Sequence, residues 1–303
     1  MFNILVYTVS SFNFKCGGLV VQYEFCRVLE KLGINVKISA PEKIQNSIFC
    51  KYYNNDFDLN NTVVIYGETI EGNPLKAPYV VRWILAPLGI ICNPNNKTWG
   101  SNDLVYYFNS DNKFYNNDTL FGTVYKSLTT IYINPLINNC NDPLRKGYCH
   151  TFRKTQFHKK LKYAHHPNSQ EIKREHKVIQ CINIFNKRKF FISYDPLTFL
   201  NIIAAMCGCI SVVIKIDGLT EIEWLKTTTA YPYLKANNLN KIYGIAYGLS
   251  EVEWAKNTLP LVKQQWIDIC EFMKQNTVIP FLNDIKNLDN IKYLVNTVKN
   301  NYG

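Results

Sequence analysis

The sequence predicts an α/β protein made of two halves, each a parallel sheet with helices packed on it. Short β-rich apolar runs recur along the whole chain. The first run is followed by a glycine pair, an amphipathic helix and a second run, a strand–loop–helix–strand unit. The same alternation starts again after Pro143. The 303 residues, 47% hydrophobic and 19% charged, suffice for two cores and argue against global disorder.

Residues 2–9 are the first predicted strand, closed by Ser10 and Ser11. MFNILVYTV lacks a basic leader and a small-residue cleavage site, so it is a strand and not a signal peptide. After Gly17-Gly18, Leu19, Val20, Tyr23, Cys26, Leu29 and Leu32 recur at helical spacing, and Gly33 stops the helix. INVKIS (34–39) is the second strand, and others are predicted at 62–66, 79–85, 103–108 and 129–134. Helical signal between them is faint, and Asn-rich stretches near 54–61 and 93–102 are loops. In the second half, strands are predicted at 147–152, 189–194, 210–216 and 241–247. Helices are predicted at 171–187 and at 199–207, the latter running into Gly208. Thr220 with Glu223 and Ser250 with Glu253 match capping boxes. A last helix, 284–301, packs back on the body, and the two halves divide as 1–140 and 141–303.

The net charge of +11 is local. Between Arg145 and Phe190 stand thirteen lysines and arginines against two acids, so the rest of the chain is neutral; all five histidines lie there too. A protein basic all over is excluded. The 10 cysteines contain no CxxC pair, which fits neither zinc spacing nor a disulfide scaffold and predicts free thiols in a reducing compartment. The longest apolar run, Ile202 to Ile214, is too short to span a bilayer. The expectation is a cytoplasmic protein.

Four places can carry chemistry. The loop Ser10–Gly18 brings two glycines to a helix N-terminus, where an anion is favoured; a tight structural turn is the other account. It is not GxGxxG, which removes support from a dinucleotide dehydrogenase. The segment FFISYDPLTFLNIIAAMCGCISVVI (190–214) is a strand, a polar elbow with Ser193, Tyr194, Asp195 and Thr198, a helix, Gly208 and another strand. Its elbow stands at the carboxyl end of a parallel strand, where open α/β sheets bind ligands. Arg153-Lys154 follow the strand 147–152. Glu68 and Asp111 follow strands 62–66 and 103–108, and Arg82 is a charge inside an apolar strand that needs a partner if buried.

Segment 190–214 resembles the donor-binding motif of GT-B glycosyltransferases, in particular the retaining family known as glycosyl transferases group 1. Asp195 falls on the motif's first acid, and Ala204–Gly208 with Val212-Val213 on its tail; Ile203 stands where the family has a second, ribose-holding Glu. The resemblance implies two Rossmann-like domains with parallel sheets facing across a cleft: 1–140 on the acceptor side and 141–303 binding the donor. It implies transfer of a sugar from a nucleotide-diphosphate sugar to a glycan, lipid-linked or protein acceptor, by a hexosyltransferase-type enzyme with no cofactor and no metal. Asp195 would face the donor sugar, with Tyr194, Thr198 and Gly208 around it. Arg153 and Lys154 would grip the diphosphate, stabilising the charge that develops on it, and Gly17-Gly18 would approach the phosphates. The family's first-domain His is missing, since no His precedes His150. Retention and inversion both stay open; an inverting route needs a carboxylate base, for which Glu68 and Asp111 are candidates beside Asp195.

Lys159, Lys160, Lys162, Lys173 and Arg174 exceed what a diphosphate needs and predict a face for an anionic partner, such as a membrane carrying lipid-linked acceptor. Two other functions remain in view. The basic block suits a nucleic-acid-binding protein or a DNA-glycosylating enzyme, and Ile203 suits a catalytically lapsed GT-B scaffold.

Overall fold

The structure, a computed structural model, describes residues 2–14, 16–41, 50–86, 98–109, 126–152 and 165–287. The chain divides into two compact units, Met1–Tyr132 with Phe272–Gly303, and Ile133–Glu271.

Unit 1 holds a seven-stranded, wholly parallel sheet. Its strands are β1 (Asn3–Tyr7), β2 (Val36–Ser39), β3 (Lys51–Tyr52), β4 (Thr62–Gly67), β5 (Tyr79–Ile84), β6 (Leu104–Tyr107) and β7 (Lys126–Ser127). The spatial order β3-β2-β1-β4-β5-β6-β7 is that of a Rossmann-type sheet, reversing direction between β1 and β4. Helix α1 (Gly17–Lys31) buries Tyr23, Phe25, Cys26 and Leu29 against one face, among Ile4, Val6, Val63 and Ile65. It stops before Gly33, whose φ of 76° is the left-handed conformation that favours glycine at a helix end. The opposite face carries Leu5, Val64, Tyr66 and Val80, and is covered by Phe57, Ile70 and Ala77 from crossovers without α-helix. That is why helical signal is faint between β3 and β5.

Residues 129–134, predicted as a strand, are not one: the strand is β7, just before them. Their backbone is claimed by side chains instead of a ladder. The Thr129 N–H donates to Thr277 Oγ1 (3.0 Å), while the carbonyl of Leu128 accepts from Trp83 Nε1 (2.9 Å). The chain then enters unit 2.

Unit 2 holds a second parallel sheet of five strands, ordered β12-β11-β10-β8-β9. They are β8 (Tyr148–Thr151), β9 (Gln170–Glu171), β10 (Phe190–Ser193), β11 (Ile210–Val213) and β12 (Ile245–Tyr247). Helices α2 (Val178–Lys187) and α3 (Leu200–Met206) pack on one face, with Phe185 edge-on to Phe191 at 5.0 Å. Next come α4 (Glu221–Lys226) and α5 (Tyr231–Ala236). Helix α6 (Val252–Thr258) lays Ala255 on the other face, against Ile192 and Val212. This unit is doubly wound, so both units are Rossmann-like α/β layers.

Two predicted elements change here. The helix expected over 171–187 begins only at Val178, because Gln170–Glu171 pair with β8 and Ile172 donates its N–H to His150 (2.7 Å). Thr220 and Glu223 form their capping box on α4, but Ser250 and Glu253 form none, since a 3₁₀ turn, Leu249–Glu251, precedes α6.

Arg145, at the head of the basic block, is structural. Its Nη1 donates to the carbonyl of Phe185 (2.6 Å), and Nη2 to that of Cys207 (2.8 Å) and to Asn139 Oδ1 (2.9 Å). It thus satisfies carbonyls at the ends of α2 and α3. Helix α7 (Val262–Met273) continues through a π-helical turn, Lys274–Val278, into α8 (Ile279–Lys286). Residues 279–287 belong to unit 1, where Asp284 accepts from Tyr106 (2.7 Å) and pairs with Lys126. The rest of the predicted helix 284–301 lies outside the described residues. Among the described residues, no helix is long and apolar enough to cross a membrane, and nine cysteines are free thiols.

Candidate functional site

In open parallel sheets, ligands bind outside the carboxyl ends of the strands, at the point where strand order reverses. In unit 2 the chain runs from β8 to β9 on one side and to β10 on the other, so that point lies between β8 and β10. Two predicted constellations flank it in sequence. β10 runs into Tyr194–Thr198, and β8 runs through Phe152 into Arg153-Lys154; the last two lie outside the described residues.

The Tyr194 ring stacks on Phe152, with centroids 4.6 Å apart. Its hydroxyl accepts the His165 N–H (3.1 Å) and lies 2.8 Å from His165 Nδ1. Donating its one proton to Nδ1 requires that nitrogen to be unprotonated. His150 stacks on His165 at 3.8 Å with its Nδ1 on Ser169 Oγ. Burial, and then the neighbouring His165, push His150 down to about 4, and burial also lowers His165. Both imidazoles are therefore neutral supports at pH 7.

Asp195 is 1% exposed. One carboxylate oxygen accepts the N–H of Leu197 (3.0 Å), and its carbonyl accepts from Ser193 Oγ (2.9 Å), so this aspartate shapes its own elbow. The elbow is propped from behind by Trp224, whose indole N–H donates to the carbonyl of Pro196 (3.0 Å) and whose ring stacks on Tyr247 at 5.1 Å. Thr198 Oγ1 accepts from the N–H of Leu200 at the start of α3 (3.4 Å).

Gly208 is not with them. It stands at the amino end of β11, on the opposite edge of the sheet from the Asp195 elbow. Its φ is 79°, and a Cβ there would fall 2.5 Å from the Asn139 side chain, which explains the glycine without a ligand. Ile203 is buried within α3 at 6% exposure, so this position offers no carboxylate to a ribose.

In unit 1 the reversal lies between β1 and β4, and Glu68 is the first residue beyond β4. It is 5% exposed, and its Oε2 accepts the N–H of Leu85 (3.0 Å). Burial raises its pKa, against the opposing pull of the backbone N–H groups of Leu85 and Ala86. Helix α1 starts at Gly17 in the loop after β1, with no side chain capping its first turn. Gly17 is open to solvent, whereas a Cβ on Gly18 would touch Leu85 Cδ1 at 3.4 Å. Gly18, Leu85 and Glu68 are thus in one place. Asp111 lies outside the described residues.

Arg82 is fully buried and fully partnered. It pairs with Asp103 (2.7 Å), donates to the carbonyls of Ile70 (3.2 Å) and Gly72 (2.5 Å), and lies between the rings of Tyr66 and Trp99. It is a structural cation.

Sequence reasoning missed Phe152, the two neutral histidines and Lys215, which follows β11 at the same carboxyl edge. The signal for Lys215 was present: a cation ending the apolar run ISVVI. A pocket of about 250 Å³ opens beside Thr151 and Phe152, lined also by Glu171, Lys173 and Arg174. Lys159, Lys160 and Lys162 lie outside the described residues.

No known protein family matches the chain, and no curated protein does. Among solved structures, one of a T4 phage BGT mutant in complex with UDP-glucose is similar at 12% identity and a TM-score of 0.38, over 98% of this chain and 99% of that one. At that score the site is read from its own residues.

Proposed function

We propose that the chain is a glycosyltransferase moving a sugar from a nucleotide-diphosphate sugar to a glycan, lipid-linked or protein acceptor, without a metal. Unit 2 takes the donor and unit 1 the acceptor. The observation that carries this is the reversal point of unit 2, where a preformed elbow at Asp195 flanks a strand that leads straight into Arg153-Lys154. The acceptor oxygen bonds to the anomeric carbon, the bond from that carbon to the diphosphate breaks, and Arg153 and Lys154 stabilise the departing charge. Retention and inversion are both open; on an inverting route the hydroxyl proton goes to a carboxylate base, for which Glu68 is the candidate in unit 1. Burial of Glu68 supports this role, because a raised pKa strengthens a carboxylate as a base. Lys173 and Arg174 serve a peripheral contact with an anionic membrane.

A panel of sugar nucleotides in thermal-shift and donor-hydrolysis assays tests the proposal. One donor, at a hundredfold excess over its Kd, is expected to raise Tm by ~5 °C. No response to any sugar nucleotide or nucleoside diphosphate overturns it.

A further inference from the structure

Lys215 follows β11 at the carboxyl edge of unit 2, beside β10 and its Asp195 elbow. Among the described residues it forms no ion pair, whereas Lys37, Lys126, Lys241 and Lys256 each hold a carboxylate. Two carboxylates of the elements that follow β11 are already taken: Lys241 pairs with Glu251 and, at 3.6 Å, with Glu221.

The side chain is nevertheless placed. Its stem crosses Gly248, where a Cβ would lie 2.5 Å from Lys215 Cε, and Gly248 itself has a φ of 89°. Its ammonium lies 5.8 Å from the centroid of Tyr247, the ring that stacks on Trp224 and so backs the Asp195 elbow. A long side chain threaded over a glycine and laid on an aromatic ring has lost part of its rotamer freedom before any ligand arrives. An unneutralised ammonium held this way at the ligand-binding edge of a parallel sheet favours an anion.

We infer that Lys215 forms an anion subsite at the carboxyl ends of β11 and β12 and takes a phosphate oxygen of the nucleoside diphosphate. This rests on the donor reading of unit 2 and adds a cation outside Arg153-Lys154. Gly248 has a backbone conformation that favours glycine, and the missing side chain leaves room for the lysine stem.

Inorganic pyrophosphate and UDP are the probes, titrated by calorimetry into wild type, Lys215→Met, Lys215→Arg and Lys256→Met. Met keeps the stem and removes the charge, so the fold is expected to keep its Tm without ligand. Lys215→Met is expected to weaken both probes about 10-fold, Lys215→Arg to restore most of the affinity, and Lys256→Met to change nothing. Wild type that binds while Lys215→Met binds equally well overturns the subsite and leaves the donor proposal standing. An equal loss in Lys256→Met reduces the effect to general surface charge and also overturns it. Wild type that binds neither probe overturns the subsite, and the donor proposal falls with it only if the full sugar-nucleotide panel also gives no response.

Discussion

The two sheets solve one problem, holding loops beyond their strands, with opposite chemistry. In unit 1 the crossover that leaves β4 is held by a charge: the guanidinium of Arg82 takes two of its carbonyls and the carboxylate of Asp103. In unit 2 the turn that leaves β10 is held without a cation, by the Asp195 carboxylate on the Leu197 N–H, the Phe152–Tyr194 stack, two neutral imidazoles and the Trp224 indole. The described crossover between β4 and β5 holds no helix, so its carbonyls must be met by a strong multiple donor. Unit 2 has helices on both faces, and aromatic packing suffices. Where the structural work is done without a cation, as at the β10 turn, a cation such as Lys215 stays available for a ligand. Where a cation does that work, as Arg82 does, it is spent.

The sharpest way to break the comparison is Arg82→Met. It leaves Asp103 and two carbonyls without their donor in a buried place, and is expected to cost about 4 kcal/mol in urea denaturation. Arg82→Lys rescues little, because one ammonium cannot serve three acceptors spread around a planar fork. A loss under ~1 kcal/mol would mean that apolar contacts, and not the charge, hold the crossover. Unit 2 has its own steric weak point in Gly208→Ala, expected to cost about 2–3 kcal/mol from backbone strain and the Asn139 contact together. Adding Asn139→Ala should recover part of that cost; strict additivity in the double-mutant cycle would remove the contact from the explanation.

Acid separates the units by sign. His150 titrates at about 4 in the folded chain, below an unfolded value near 6.5. As pH falls through that window the unfolded chain takes the proton first, so stability drops by about 2 kcal/mol between pH 6.5 and 4. Glu68 does the opposite: its folded pKa is raised, so the folded chain takes the proton first and stability is gained as pH falls through it. His150→Gln should flatten the acid loss and Glu68→Gln should deepen it, read as urea midpoints across that range. The same slope in all three proteins would mean that neither group is buried as described.

These differences were only partly legible in the sequence. Apolar runs and Gly33 located β1, α1 and β2, because a buried strand and an amphipathic helix leave periodic patterns. The elbow after β10 was legible from Tyr194, Asp195 and Thr198 standing between a strand and a helix. The role of Asp195 within that turn was passed over, although it is local: Leu197, two residues on, gives its N–H to the carboxylate, as an aspartate opening a turn commonly allows. Gly208 looked like a ligand contact, yet it meets Asn139, which lies 69 residues earlier in the chain. His150 and His165 looked like members of a basic block, and only burial shows them neutral. Local signals carried the elements; long-range contacts decided which polar residues face a ligand.

The smallest expected effect tests that division within unit 2. Thr220 with Glu223 and Ser250 with Glu253 are the same motif in sequence, but only the first pair closes: Glu223 donates its N–H to Thr220 Oγ1 (3.3 Å), and the Thr220 N–H donates back to Glu223 Oε2 (2.9 Å). Thr220→Ala is therefore expected to cost about 1 kcal/mol. Ser250→Ala should change stability by less than ~0.5 kcal/mol, because the 3₁₀ turn ahead of α6 already occupies the place where its box would form. Equal costs at the two sites in matched urea titrations would show that the tetrapeptide itself sets the helix start. Unequal costs would show that the preceding backbone does, since a hydroxyl caps a helix only where the chain enters extended, as it does at Thr220 with φ −71° and ψ 161°.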